Sequence, residues 1–254
     1  MAGAWNLVRQ RGTLIGNPGR VRAGDSPDAL QRLVALRGAS NAKRIGVVFK
    51  RIKGGEFIYQ GQRTRIETFE AAKTVFTINM MRKLLILKGD EAKAIFKVPG
   101  YSADEVIRKS LEVVADDVPD AERDNCPLVY VSKYESEAIA RLLESDLLTG
   151  LQWERAASGT DGKKRPWGNN LDVTKAVYND KGTRPVKSKP AGISAEGLHD
   201  LIGLVWELTK ESVLRGGSWG IIDDYYLQAV YCIVSHPGYR ADRIGFRLAR
   251  NLIS

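Results

Sequence analysis

Three features of this 254-residue sequence predict an α+β fold of short strands and helices with much irregular loop. Strand-like and helix-like apolar patterns follow one another in the first half, whereas Gly, Pro, Asn and Trp dominate the second, where few long apolar faces occur. The bulk composition, 43% hydrophobic and 27% charged, is that of a globular chain and excludes disorder, collagen and coiled coil. No apolar stretch approaches the ~20 residues of a bilayer-crossing helix. Met1–Gly12 lacks the apolar core of a secretory signal. The expectation is a chain with no membrane span, cytoplasmic or carried on a virion.

The net charge of +9 is unevenly placed. Residues 1–44 hold eight basic side chains against Asp25 and Asp28, which accounts for +6, and the remaining residues carry only +3. We therefore divide the chain into a basic arm with a helix, 1–44, and a domain, 45–254. Binding of nucleic acid by the arm ranks lowest among the functions considered, because its charge has no aromatic interleaving beyond Trp5. Cys126 and Cys232 match neither a zinc nor a redox spacing.

Taken in order, Ser26-Pro27-Asp28 supplies a cap, a helix-compatible proline and a first-turn acid for a short helix ending near Arg37-Gly38. Gly46–Ile52, a Gly54-Gly55 turn and Glu56–Tyr59 form a hairpin pattern. A strand around Arg63–Phe69 follows. Apolar residues recur as on a helix from Asn79 to Leu87 and again from Ser102 to Val114. Pro119 and its acidic neighbours mark a surface loop. Pro127–Val131 is a short buried strand leading into Ser132, which caps a helix carrying Ala138, Ile139, Leu142 and Leu143. Beyond Trp153 the chain is mostly turn formers, with Trp153, Trp167, Trp206 and Trp219 suited to pinning loops together.

Five segments then fall in a fixed order: Thr149–Ala157, Pro166-Trp167-Gly168-Asn169, Gly197–Glu207, Val213–Trp219 and Ile244–Ala249. Together, and with the weaker match Lys53–Phe57, they resemble the formylglycine-generating enzyme (sulfatase-modifying factor) family over about residues 45–251. The resemblance implies a C-type-lectin-like fold. It also implies a copper-holding cysteine pair after the Gly-Gly-Ser-aromatic motif, but the matching positions are Ile221 and Tyr226, and neither supplies a thiolate. A second branch, iron-dependent sulfoxide synthases, is expected to use three histidines, and this chain has only His199 and His236. No catalytic residue is assigned and no cofactor is required. For structural calcium the resemblance implies side chains of Asp200 and Glu207 with carbonyls of Gly203 and Val205, a hard-oxygen set. Capping, or a salt bridge to a nearby Arg, is an equally weighted role for the two acids.

Residues 220–243 lie where the family has its active surface, yet they follow no clear period. The combination resembles the variable proteins of diversity-generating retroelements, in which adenines of Asn-type codons are replaced near the 3′ end of the gene. Changing the first two bases of such a codon yields Gly, Ile, Asp, Tyr, Val, Cys, Ser, Ala, Arg and a few others, but never Gln. Gly220, Ile221, Ile222, Tyr225, Tyr226, Cys232, Ile233, Val234, Ser235, Tyr239, Ala241, Asp242 and Arg243 satisfy the restriction, whereas Gln228 must be fixed. Tyrosines give rigid amphipathic contact area, so Tyr225, Tyr226, Tyr231 and Tyr239 are the natural anchors, Tyr231 being equally suited to the core. The expectation is a non-enzymatic, receptor-type protein binding a protein or surface ligand through this face. A divergent metal-dependent oxidase is the alternative.

Overall fold

The computed structural model describes residues 40–96, 98 and 101–252. The helix expected between Ser26 and Gly38 lies outside them, as does most of the basic arm. Residues 40–44 are helical, and Ala42 and Ile45 are buried in the same core as the domain.

The strands are β1 Phe49–Ile52, β2 Gly55–Tyr59, β3 Gln62–Ile66, β4 Phe69–Ala72, β5 Asp146–Leu147, β6 Trp206–Leu208, β7 Val213–Arg215, β8 Cys232–Val234, β9 Ile244–Phe246 and β10 Leu248–Asn251. The helices are α1 Ile78–Lys88, α2 Asp90–Lys93, α3 Ala103–Glu112, α4 Asp120–Arg123, α5 Lys133–Leu142 and α6 Gly150–Ser158. The expected α+β class with short elements is thus the observed one. None of these helices is long and apolar enough to cross a membrane.

Caps explain where the helices begin. Thr77 Oγ1 accepts from Met80 N–H at the start of α1, and Ser102 Oγ from Glu105 N–H at the start of α3. Reciprocal capping boxes, Ser132 with Glu135 and Thr149 with Gln152, open α5 and α6. The helices expected at 79–87, 102–114 and after Ser132 all form, and the acidic loop contains the single turn α4.

Strand pairing departs from the local reading. The hairpin turns at Gln60-Gly61, so that β2 pairs with β3, while β1 pairs with β4. Gly54-Gly55 is instead a crossing point: a Cβ on Gly54 would lie 2.5 Å from the Ile66 carbonyl oxygen. The strand expected over Arg63–Phe69 is split between β3 and β4. Residues 127–129 and 131 are buried as expected, with Tyr130 half-buried, but they form no strand, because their N–H groups go to different elements. Leu128 N–H donates to Phe76 O, Val129 N–H to Ser110 Oγ and Tyr130 N–H to Ala241 O.

Two four-stranded sheets organise the domain. One runs β1-β4-β10-β5 and is antiparallel throughout; the other runs β8-β7-β6-β9, with β6 and β9 parallel. β9 and β10 are separated only by Arg247, so the chain passes from one sheet to the other at that residue. Between α6 and β6 the only helical turn is the 3-10 turn Pro190–Gly192, and isolated bridges such as Val177↔Gly203 and Val114↔Thr183 hold the stretch.

Leu128 is completely buried in the main core despite lying outside any strand. Leu128→Ala is expected to cost about 2–5 kcal/mol of stability, read as a lower urea midpoint with an unchanged slope.

Candidate binding surface

After β7 the chain must turn beneath residues 220–243, and Gly216-Gly217 makes this possible. Both have positive φ (+93° and +79°). A Cβ on Gly216 would meet Leu201 O at 2.4 Å, and one on Gly217 would meet Leu227 Cδ2 at 2.5 Å. The next residues are buttressed from the irregular region, where Asp180 N–H donates to Trp219 O and Asn179 N–H to Ile221 O. Asp223 Oδ1 then accepts from Tyr225 N–H and starts the 3-10 turn Asp224–Tyr226.

The middle of the segment is anchored. Leu227 and Ala229 are completely buried in the cluster that contains Trp153 and Phe57. Ala229 N–H donates to Lys164 O, and its carbonyl accepts from Arg215 Nη1, which also pairs with Glu154. Beyond it β8 forms the sheet's edge, with all three residues exposed. The return path is tied by Lys133 N–H to Pro237 O, by Arg240 to the Glu135 carboxylate and by Trp206 N–H to Arg243 O.

Exposure divides the thirteen expected surface positions. Ile222 (75%), Tyr225 (59%), Val234 (82%) and Tyr239 (55%) stand out to solvent, as do Cys232 and Ile233. Gly220, Ile221, Tyr226, Ala241, Asp242 and Arg243 are half-buried. Ile221, Tyr226 and Ala241 lean on the core, and the Arg243 guanidinium lies 5.3 Å from the Trp219 ring centroid. Ser235 is a correction: it is buried, because its N–H donates to Ser212 O beside β7. Asp223, Asp224, Val230 and His236 are exposed in the same segment, although they are absent from the expected set. For all four the signal was available, since Asp, Val and His all obey the codon restriction.

Tyr225, Tyr226 and Tyr231 pack mutually edge-on, with ring centroids 5.0–5.6 Å apart, and Tyr231 continues to Trp206 at 6.1 Å. Tyr231 therefore serves both roles, leaning on the core and carrying the other two rings. Of the tryptophans, Trp153 and Trp206 are buried, while Trp167 and Trp219 are half-buried beside loops.

The positions matching the cysteine pair are aliphatic and aromatic. Cys126 is buried inside the core, where burial pushes its thiol up to about 12, and Cys232 is alone on β8. Among the described residues no group of three or more His, Cys, Asp or Glu side chains can hold a metal ion. The calcium set at Asp200, Gly203, Val205 and Glu207 does not fit. Both Glu207 oxygens are engaged, Oε1 by Arg247 Nη2 at 2.7 Å and Oε2 by Arg247 Nε at 2.9 Å and Trp153 Nε1 at 3.0 Å. Asp200 Oδ2 accepts from Lys187 N–H at 2.8 Å, and burial pushes its carboxyl up to about 6. Glu207 thus forms a salt bridge with Arg247, and Asp200 accepts a backbone N–H in the turn at 186–187. His199 is buried with an unpartnered Nδ1. Burial and the charges of Lys73, Lys187 and Arg247 push its imidazole down to about 4.

Comparison with known proteins follows the same frame. The sulfatase-modifying factor enzyme 1-like domain matches residues 46–252. A hercynine oxygenase of Mycolicibacterium thermoresistibile is 30% identical over 171 residues, 53% of this chain and 37% of that protein. The inactive C-alpha-formylglycine-generating enzyme 2 of Bos taurus is 32% identical over 150 residues, 48% of this chain and 50% of that one. The chain thus spans half or less of the length of these two relatives. Among solved structures, Treponema denticola variable protein 1 superposes with a TM-score of 0.58 at 18% identity, covering 80% of this chain and 95% of that one.

Two outcomes follow for the buried charges. Chelation of divalent cations is expected to leave the melting temperature unchanged, whereas Glu207→Gln, which strands a buried Arg247, is expected to cost about 3–5 kcal/mol in denaturant titration. For His199 the folded state binds fewer protons than the unfolded state between about pH 4 and the ordinary imidazole value near 6.5. Its contribution is therefore fully present above that window and is lost as pH falls through it. Relative to His199→Gln, the native protein should lose stability across that fall, as read by urea midpoints at successive pH values.

Proposed function

The chain belongs to the sulfatase-modifying factor enzyme 1-like domain family, and from that premise we propose that it is a non-enzymatic ligand-binding protein whose surface at residues 220–243 is varied by a retroelement. One observation carries the reading. Ile222, Tyr225, Val234 and Tyr239 are presented outward by a segment whose flanks, Arg215–Ser218 and Ile244–Ala249, are buried. The positions matching the catalytic pair are held by Ile221 and Tyr226, which pack inward, and Tyr226 braces the two neighbouring tyrosines. A large exposed apolar and aromatic surface on a tightly held frame is what a binding protein needs, because its anchors lose little freedom on association. The inactive formylglycine-generating enzyme 2 and the Treponema variable protein support this reading as relatives in sequence and fold. The ligand is a protein or another molecule displayed on a surface, bound through the tyrosine cluster and the β8 edge.

The competing reading, a divergent metal-dependent enzyme, draws on the hercynine oxygenase relatives. Copper or iron bound by the purified protein, with oxygen-dependent turnover of a Cys-containing peptide, would establish that reading and remove ours.

Deep sequencing of the 3′ end of the gene across a population tests diversification directly. Substitutions should concentrate at the first two bases of the codons for the outward residues Ile222, Tyr225, Ile233, Val234 and Tyr239, while Leu227, Gln228 and Ala229 stay constant. A segment as invariant as Ile244–Ala249 would end the retroelement reading.

A further inference from the structure

A second cavity, sharing no lining residue with 220–243, lies between the β4–α1 connection, the first turn of α1 and the chain at 186–187, with a volume of about 210 Å³. Its polar lining is Lys73, Lys83, Lys187, Thr74, Thr77, Asn79 and Asn125, and no Asp or Glu lines it. The ion-paired lysines among the described residues are Lys88, Lys93, Lys133, Lys163, Lys175 and Lys210, so the three cavity lysines are outside that set.

Two further observations bear on the sign of the field there. The first turn of α1 reaches the cavity through Thr77, Asn79 and Met80 and contains no acidic residue, unlike the first turns of α3 and α5. The first-turn amides are themselves already bonded, Ile78 N–H to Cys126 O, Asn79 N–H to Asp124 O and Met80 N–H to Thr77 Oγ1, so the cavity's positive character comes from its lysines. The charges of Lys73 and Lys187 also contribute to the depressed basicity of the neighbouring His199 imidazole, after burial itself.

The lysines stand on fixed backbone. His199 N–H donates to Lys73 O at 2.9 Å. Lys187 has φ +69°, a left-handed conformation that long side chains rarely adopt, and the Asp200 carboxylate holds it there through the Lys187 N–H. Strained backbone of this kind recurs at ligand-binding sites, and here it lies beside a cavity lined by three lysines.

We propose that this cavity binds a small phosphate-class oxyanion, either free or as the terminal group of a phosphorylated small molecule. Three ammonium groups supply point charges, and the hydroxyl of Thr74 with the amides of Asn79 and Asn125 supplies directional hydrogen bonds to oxygen. A space of this size admits such a group.

Calorimetry on the full chain at low ionic strength, with inorganic phosphate, pyrophosphate and ADP as separate titrants, tests the assignment. Saturable binding at one site per chain is expected. Lys73→Gln and Lys187→Gln should each weaken it at least tenfold, and exposed Lys83→Glu, which leaves the fold untouched, should do the same. Lys93→Gln on α2 should change it less than twofold. Tighter binding of ADP than of pyrophosphate identifies an organic phosphate as the ligand, and the reverse order identifies the free anion. Absence of saturable binding by any titrant, or equal affinity in the native protein and the Lys83→Glu variant, overturns the proposal.

Discussion

The architecture depends on a buried ion pair at the point where the chain leaves one sheet and enters the other. Arg247 sits between β9 and β10, is fully buried, and meets Glu207 of β6 through two guanidinium nitrogens. Its remaining hydrogen bonds go to the carbonyls of Ala72 at the end of β4 and of His199 in the irregular region. One side chain thereby holds four separate parts of the chain, and Glu207 adds α6 through the Trp153 indole. Charges this deep are costly unless paired and hydrogen-bonded, and here both Glu207 oxygens and all three Arg247 guanidinium nitrogens have partners, so the geometry around them is tightly specified. The next residue of α6, Glu154, forms the second buried pair, with Arg215 of β7. Two consecutive residues of one helix therefore serve both pairs, which explains how a domain with so little regular structure between α6 and β6 keeps a definite shape.

What was legible in the sequence was what is decided locally. Helices α1, α3 and α5 show apolar periodicity, and Ser102 and Ser132 were readable as their starts because a cap is a short-range interaction. Strand partners were not legible, because β1 chooses β4 over β2 through contacts made elsewhere in the fold and because Gly54 serves a crossing rather than a turn. The burial of 127–131 was visible from composition, but the destinations of its hydrogen bonds were not.

The candidate surface was legible to a similar degree. The frame and the odd chemistry of 220–243 could be separated by inspection, and Gln228, which was set apart from the rest, lies between buried Leu227 and Ala229. The misassignment of Ser235 has a long-range cause, its backbone bond to Ser212. The two roles open for Asp200 and Glu207 could not be separated from sequence, since the deciding partner of Glu207 lies 40 residues away. In each case the error lies where a side chain's environment is built by a distant part of the chain.

The burial of Leu227 and Ala229 has a consequence for how this surface can evolve. A stretch of 24 residues fixed only at its ends would be one long loop, and any change along it would disturb the order of the whole. Fastened in its interior, it becomes two shorter modules, each closing its own loop at its own entropic cost. The two modules still meet at one place, where Tyr225 and Tyr226 of the first touch Tyr231 of the second, so changes at those three rings are coupled. Away from that junction, a change that disturbs one module need not disturb the other.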